Sequence, residues 1–433
     1  MRAGAATSGA TSAVRLFTSA LMLLACSERK ELTPSAADTS SAAAAPSAKP
    51  QGNSAPSSFA SARSASAESA SAPAARTGPV VLLFGGDVNL GRGTGQRILR
   101  DPAYQPLRFI KPYFDSADFR FVNLECQLSD QDGVTQTKHR LIFTGPPGGA
   151  EVLKNANIDL VSVANNHMWD FGKSALLETF ENLDRAGVRY VGASPNPGKD
   201  AYNAVSVEVR GIKIAFFAVT HIWNQGPINE HEGRHYVAWA DFGALEKRIA
   251  KAKQTHDLVI LSYHGGAEYV DEPMMWTRHF VRAAMRSGVD VIIGHHPHVP
   301  HGVGWAGSRP VFYSLGNLVF PMHSDHSWTG TSFLARLSFD KQPGEKPRLT
   351  KTEACPYFIL GHAPKPFEDK ASPARHAQFR QHLELISKSV GGTLVGDVEP
   401  DGCYPLNPPG KPGVGAPLVV GTAHPVSISR GTP

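Results

Sequence analysis

The chain has 433 residues and a formal net charge of +5, from 43 Lys and Arg against 38 Asp and Glu. So weak a charge, with no dense basic block, excludes a nucleic-acid partner, and four Cys exclude a disulfide-dense mini-scaffold. The 41% of hydrophobic residues excludes a wholly disordered chain. Histidine is the outlier: there are 18, and 10 of them fall between His221 and His301, which points to metal chemistry.

Arg2 and Arg15 precede a short apolar run over residues 16–25, with no acidic residue before Glu28. A positive start followed by a short apolar stretch predicts an export signal over residues 1–25, too short to serve as a spanning anchor. The run closes Leu23-Leu24-Ala25-Cys26, which resembles the lipobox of bacterial lipoproteins. That resemblance implies lipidation of Cys26 and a membrane-anchored place in the bacterial cell envelope, with Ser27 favouring the outer membrane. Residues 26–78 are almost entirely Ser, Ala and Pro, a composition that cannot bury enough apolar surface to offset its ordering entropy. They are expected to form a disordered tether.

The folded part alternates strands and helices. Apolar runs at 80–84, 119–124, 158–164, 258–263, 289–293 and 311–314 predict buried strands. Helical patterns occupy 175–186, 242–253 and 274–287, and a hairpin is expected from 204–209 and 213–219. Each apolar strand ends on a residue able to bind a metal or a phosphate: Asp87, Glu125, Asn165-Asn166-His167, His264, and His295-His296-Pro297-His298. In layered α/β folds, ligands gather at the carboxyl ends of the strands, so these residues are expected to meet at one edge of a sheet. Asp87 and Glu125 are hard oxygen donors, Asn166 a neutral one, and His264, His296 and His298 imidazole donors. Such a mixed set suits Mn²⁺, Zn²⁺ or Fe rather than Ca²⁺.

The ordered motifs Gly86-Asp87-Val88-Asn89-Leu90-Gly91-Arg92, Asn123-Leu124-Glu125, Ala164-Asn165-Asn166-His167, Asp170-x-Gly172, His264-Gly265-Gly266-Ala267-Glu268-Tyr269, Gly294-His295-His296-Pro297-His298 and Ser314-Leu315-Gly316-Asn317 resemble the bacterial CapA family of capsule and poly-γ-glutamate synthesis proteins, related to the calcineurin-like metallophosphoesterases. The resemblance covers roughly residues 80–320. Two positions depart from it: Gly265 stands where Trp is expected, and Cys126 where Gly is common.

The resemblance implies a layered calcineurin-like fold with a strand-end metal site over residues 79–342, followed by a C-terminal appendage over 343–433. It implies one or two divalent ions held by Asp87, Glu125, Asn166, His264, His296 and His298. Glu125 stands for an Asp, and its longer reach leaves a single-ion site open. His167 is implied either as general acid or transition-state stabiliser, or as a supporting histidine. Arg92 is expected to meet an anionic substrate, while Asp170, Glu268 and His295 are expected to support the ligands. The implied substrate is a phosphoester or an envelope polymer. The implied function is metal-dependent phosphoester cleavage in capsule or envelope polymer synthesis; a non-catalytic synthesis, export or anchoring component with a structural metal is the alternative.

Several residues stay outside that set. His221, His231 and His235 share a loop with Trp223 and either line the substrate rim or are solvated. Cys126 reads as a buried small hydrophobe rather than a nucleophile. Cys355 and Cys403 lie in an expected oxidising setting, and their separation leaves pairing open. The tail contains an amphipathic helix over 373–390 and a loose end after about Asn407.

Overall fold

The computed structural model describes residues 77–130, 141–197, 200–320, 328–367 and 373–410. The expected export signal, Cys26 and the tether up to residue 76 lie outside the described residues. The described ones belong to one unit, residues 74–433.

The strands divide between two sheets. In the first, Val80–Val88, Phe119–Leu124, Leu160–Ser162 and Arg189–Val191 run parallel. Val80–Val88 has almost no exposed residue on either face, the condition of a central strand. On its other side Thr331–Asp340 pairs antiparallel with it, and Arg348–Leu360 pairs antiparallel with Thr331–Asp340. In the second sheet the order is Val303–Ala306, Arg309–Phe312, Val291–His295, Leu258–His264, Ile212–Thr220 and Val205–Val209. Val205–Val209 and Ile212–Thr220 form the expected hairpin. The expectation of a single sheet edge is therefore corrected: two sheets supply the site.

Aromatic packing brings their faces together. Phe119 and Phe121 of the first sheet stack on Phe216 of the second, at centroid distances of 5.1 and 5.7 Å. Each ring buried in this way is worth about 2–3 kcal/mol. Alternation along Ile212–Thr220 does the rest. Ile214, Phe216 and Ala218 face this shared core, while Ala215, Phe217 and Val219 face the helices Phe242–Thr255 and Met275–Ser287. Asp241 caps the first of these helices by accepting from the Gly243 and Ala244 amides, and Gly288, at φ 112°, ends the second.

One predicted strand is shorter than its apolar run and another is shifted. Leu160–Ser162 stops before Ala164, where the chain turns to present Asn165 and Asn166, and Arg309–Phe312 starts and ends two residues before its run.

The tail is built onto the first sheet: Arg348–Leu360 pairs with Thr331–Asp340 along its length, and Tyr404–Asn407 pairs with Arg348–Leu360. Cys355 and Cys403 are joined by a disulfide. The buried Glu353 carboxylate takes Arg336 of Thr331–Asp340 at 2.6 Å, which ties that strand to Arg348–Leu360, and Lys351 of its own strand at 2.9 Å. The helix Pro373–Lys388 buries Phe379 against Phe333 and Tyr404.

Candidate metal centre

Five strand ends from the two sheets converge. Asp87 lies in Val80–Val88, Glu125 follows Phe119–Leu124, and Asn166 and His167 follow Leu160–Ser162. His264 and His295 are the last residues of their strands, with His296 and His298 just beyond. All are buried. Two glycines permit the crossing that closes the site. A Cβ on Gly86 would stand 2.0 Å from the Gly316 carbonyl, and one on Gly294 would stand 2.0 Å from the Tyr313 carbonyl. Only glycine allows segment 313–316 to run over both strand ends, where the Asp87 amide donates to Gly316 O at 2.9 Å.

Backbone strain concentrates here. Among the described residues, six non-glycine residues have positive φ, and four of them ring the site: Arg92 (49°), Tyr269 (60°), His296 (96°) and His298 (59°). Such conformations cost about 1–3 kcal/mol each and persist where the surroundings over-determine them.

Glu125 Oε1 lies at the middle. It is buried and has no hydrogen-bond partner. Three imidazole nitrogens surround it without touching it: His298 Nε2 at 3.7 Å, His264 Nε2 at 3.8 Å and His167 Nε2 at 4.0 Å. Burial, and next the Asp87 charge, hold the Glu125 carboxyl well above the usual carboxylate range. Asp87 behaves oppositely. Burial works against its charge, but the hydrogen bond and charge of His295 outweigh it and keep the carboxyl below the usual range. Burial leads in holding His264 far below the ordinary imidazole value, pushes His296 down to about 3 and lowers His298. These rings are therefore neutral, the form that ligates metals.

The arrangement fits a divalent cation. An orphaned buried carboxylate oxygen among neutral imidazoles is a costly arrangement unless a positive charge fills it. The donor atoms fall into two groups whose members lie within 4.8 Å of one another: Glu125, His264 and His296, and Asp87, Glu125 and His298. Glu125 belongs to both. Asn166 Oδ1 lies 2.7 Å from His264 Nε2, so the amide ligand expected from the sequence stands beside the first group. The six expected ligands are thus brought together.

The supporting residues divide. His295 Nδ1 sits 3.0 Å from Asp87 Oδ1, and Asp170 Oδ2 sits 2.7 Å from His167 Nδ1, so both hold a site residue in place. Glu268 is exposed at the rim, where its charge acts on His298 and Glu125 and its carboxylate meets Tyr269. Asn317 orients His298: its Oδ1 is 2.9 Å from His298 Nδ1, and its Nδ2 donates to the carbonyls of His298 and Thr329.

Sequence reasoning missed two further amides. Asn123 Nδ2 donates to Asp87 Oδ1 (2.9 Å) and Glu125 Oε2 (3.3 Å), and lies 3.3 Å from His264 Nδ1. Asn165 donates to Asn123 Oδ1 and to Leu124 O. Both stand in motifs quoted above, and their place beside the ligands was the available signal.

At the rim, the Arg92 guanidinium lies 4.2 Å from the Phe143 ring centroid, and the other face of the aromatic cluster meets the histidines: Phe143 stacks on His167 at 3.8 Å and Phe320 lies 4.5 Å from His298. The loop carrying His221, His231 and His235 closes the opposite side. Asn224 Oδ1 accepts from Asn166 Nδ2, and Gln225 Nε2 donates to Asp170 Oδ1. His221 and His235, with Trp223 and Trp239, line a cleft of about 830 Å³ there, while His231 packs its ring on Trp169 and Trp223. Cys126 is buried, accepts from the Leu90 amide at 3.3 Å, and its thiol is pushed up by burial to about 12, which removes it as a nucleophile.

Residues 81–322 match the model of a family described as bacterial capsule synthesis protein PGA_cap. The chain is 29% identical over 311 residues to the capsule biosynthesis protein CapA of Bacillus anthracis, covering 70% of this chain and 73% of that protein. It is 28% identical over 284 residues to the PGA biosynthesis protein CapA of Bacillus subtilis (strain 168), covering 65% and 72%. Among solved structures it is similar to a putative 5'-nucleotidase from Staphylococcus aureus in complex with alpha-ketoglutarate, with a TM-score of 0.43 and 12% identity over 73% of this chain and 59% of that one.

Proposed function

This chain belongs to the bacterial capsule synthesis protein family PGA_cap, and on that premise we propose that it is a divalent-metal-dependent phosphoesterase acting in the assembly of an anionic, poly-γ-glutamate-like envelope polymer. The observation that carries the hydrolytic part is Glu125 Oε1, orphaned among three imidazoles. Asp87, Glu125, Asn166, His264, His296 and His298 would hold the ions. Bound there, divalent ions supply Lewis-acid polarisation of a phosphoryl oxygen.

The chain's own residues supply the rest. Asp170 accepts from His167 Nδ1–H and so fixes the tautomer, leaving Nε2 facing the centre. With a second proton taken up at Nε2 the ring is an imidazolium balanced by Asp170, and that proton would pass to a leaving oxygen, the role of a general acid. This favours catalysis over a purely structural metal, which would need no such dyad. Phe143 and Phe320 exclude water behind the histidines and brace the Arg92 guanidinium, which would meet an anionic group of the substrate.

The direct test is elemental analysis of the purified protein, followed by turnover of bis(p-nitrophenyl) phosphate with and without added Mn²⁺. Metal bound at one or two equivalents with no turnover of any phosphoester would leave the structural-metal alternative standing. Arg92→Ala should leave the metal content unchanged and raise KM about tenfold while kcat changes less. Loss of metal in that variant would place Arg92 in the scaffold of the centre rather than at the substrate.

The proposal includes export and tethering through lipidated Cys26, supported by the pattern of residues 1–26. Cys26→Ser should move the protein from the membrane fraction to the soluble fraction. A variant that still sediments with membranes removes the lipid anchor from the reading.

A further inference from the structure

The helix Met275–Ser287 carries Arg278, Arg282 and Arg286 at intervals of four residues and no acidic residue. Four-residue spacing puts them on one face, about 6 Å apart along the axis. Like charges so spaced repel each other, and here the helix gains no i,i+4 carboxylate to offset it.

That face forms one wall of a cleft of about 820 Å³. Arg309 and Lys388 add two more cations, and no carboxylate lines the cleft. Trp305, Val311 and Val390 supply an apolar floor. Two of the arginines are engaged: Arg278 donates to the carbonyls of Pro273 and Ser389 and meets Glu272 at 3.3 Å, and Arg309 donates to the carbonyls of Met285 and Val289. Arg282 and Arg286 are exposed and make no hydrogen bond or ion pair among the described residues.

The cleft is separate from the metal centre. His264 ends its strand at the metal edge, and the helix Met275–Ser287 runs back from there toward the start of Val291–His295 at the opposite edge. The arginine row, about 12 Å long, thus leads from the far side of the second sheet toward the edge that bears the site. A compact anion would use one or two of these cations. A row of them along an apolar floor suits a linear chain that repeats its negative charge.

We propose that this cleft is a docking site for a linear polycarboxylate, whose repeating carboxylates pair with Arg282, Arg286 and Lys388 while its methylenes lie on Trp305 and Val390. Planar guanidinium forks match carboxylates bidentately, and apolar floors accept the intervening methylenes. The choice of carboxylate over other anions rests on the polymer reading above. The existence of an anion site rests on the cleft alone. Residues 411–433 hold Lys411 and Arg430 and no acid, so they do not complement the cleft in charge.

The test is calorimetric titration of the purified full chain with a synthetic glutamate decamer. Binding should weaken as salt is raised, and Arg282→Ala/Arg286→Ala should weaken it by about tenfold or more. Both residues are exposed, so the double variant should keep the wild-type melting temperature. His298→Ala should bind the decamer as the wild type does, which separates failure here from failure of the phosphoesterase reading. Unchanged affinity in the double arginine variant overturns the proposal, as does equal binding of a neutral glutamine decamer. Arginine-dependent binding of phosphatidylglycerol vesicles without decamer binding also overturns it, and makes the face a membrane-contacting surface.

Discussion

Glu125→Gln should abolish metal-dependent turnover and yet raise the melting temperature of the metal-free protein. The two effects have one cause. Glu125 belongs to both donor groups, so its loss removes a ligand from each. Changes to residues that only orient a ligand typically lower metal affinity or activity 10–100-fold, so losing the shared ligand should lower hydrolysis by at least about 100-fold. In the metal-free protein the same carboxylate is a burden. Burial and the Asp87 charge raise its folded pKa above the unfolded value. Its favourable contribution is present below the unfolded carboxylate pKa and is lost as pH rises through the raised folded value, so at neutral pH the group opposes folding. Gln keeps the shape and removes the charge. Metal at 100 times its Kd should stabilise the wild type by about 2.7 kcal/mol and the variant by almost nothing. Paired melts with chelator and with Mn²⁺ read both effects. A variant destabilised in chelator would show that Glu125 is held by contacts other than a cation.

Removing the disulfide should be the largest purely structural loss. Cys355 and Cys403 are fully buried and 48 residues apart in sequence. Closing a loop of that length constrains the unfolded chain by about 4 kcal/mol on the chain-entropy account. Cys355→Ala/Cys403→Ala should lower the unfolding free energy by that order in denaturant titrations. Tyr357, two residues from Cys355, donates to the Asn317 carbonyl at 2.8 Å, and Asn317 orients His298. Metal affinity should therefore fall together with stability once the strand loosens. A loss below about 1 kcal/mol would mean that strand pairing and the Arg336–Glu353 pair hold the tail without the bridge.

Residues at the ends of apolar strands were legible because the code is simple: a β-branched or aromatic run, then a polar residue that cannot be core. All six candidate ligands came from that pattern with the family resemblance. The split into two sheets was not legible, because an apolar run buried on both faces reads the same in either sheet. The residues that aim the ligands were harder still. Asn123, Asn165 and Asn317 look like ordinary turn residues in sequence, and only their hydrogen bonds distinguish them. Arg348–Leu360 escaped notice for a different reason. It is half polar and contains Pro356, which argues against a central strand. The structure resolves the conflict by position. Tyr404–Asn407 pairs with Glu353 and Ala354, and Ala363–Pro366 pairs from Tyr357 onward, so Pro356 falls between the two partners where no amide is needed.

The strand order has a consequence for how the molecule comes into being. Val80, near the start of the described chain, pairs with Phe339, and that strand is in turn flanked by Arg348–Leu360. The centre of the first sheet thus cannot close until nearly the whole polypeptide has been made. Pairings so distant in sequence carry a large loop-closure term and slow the search for the native state. A nascent chain halted before residue 331 would expose one edge of Val80–Val88 and the apolar side chains beside it, the kind of surface that associates with other chains. Assembly of this protein is therefore expected to be late and abrupt, with the first sheet closing only in its final step.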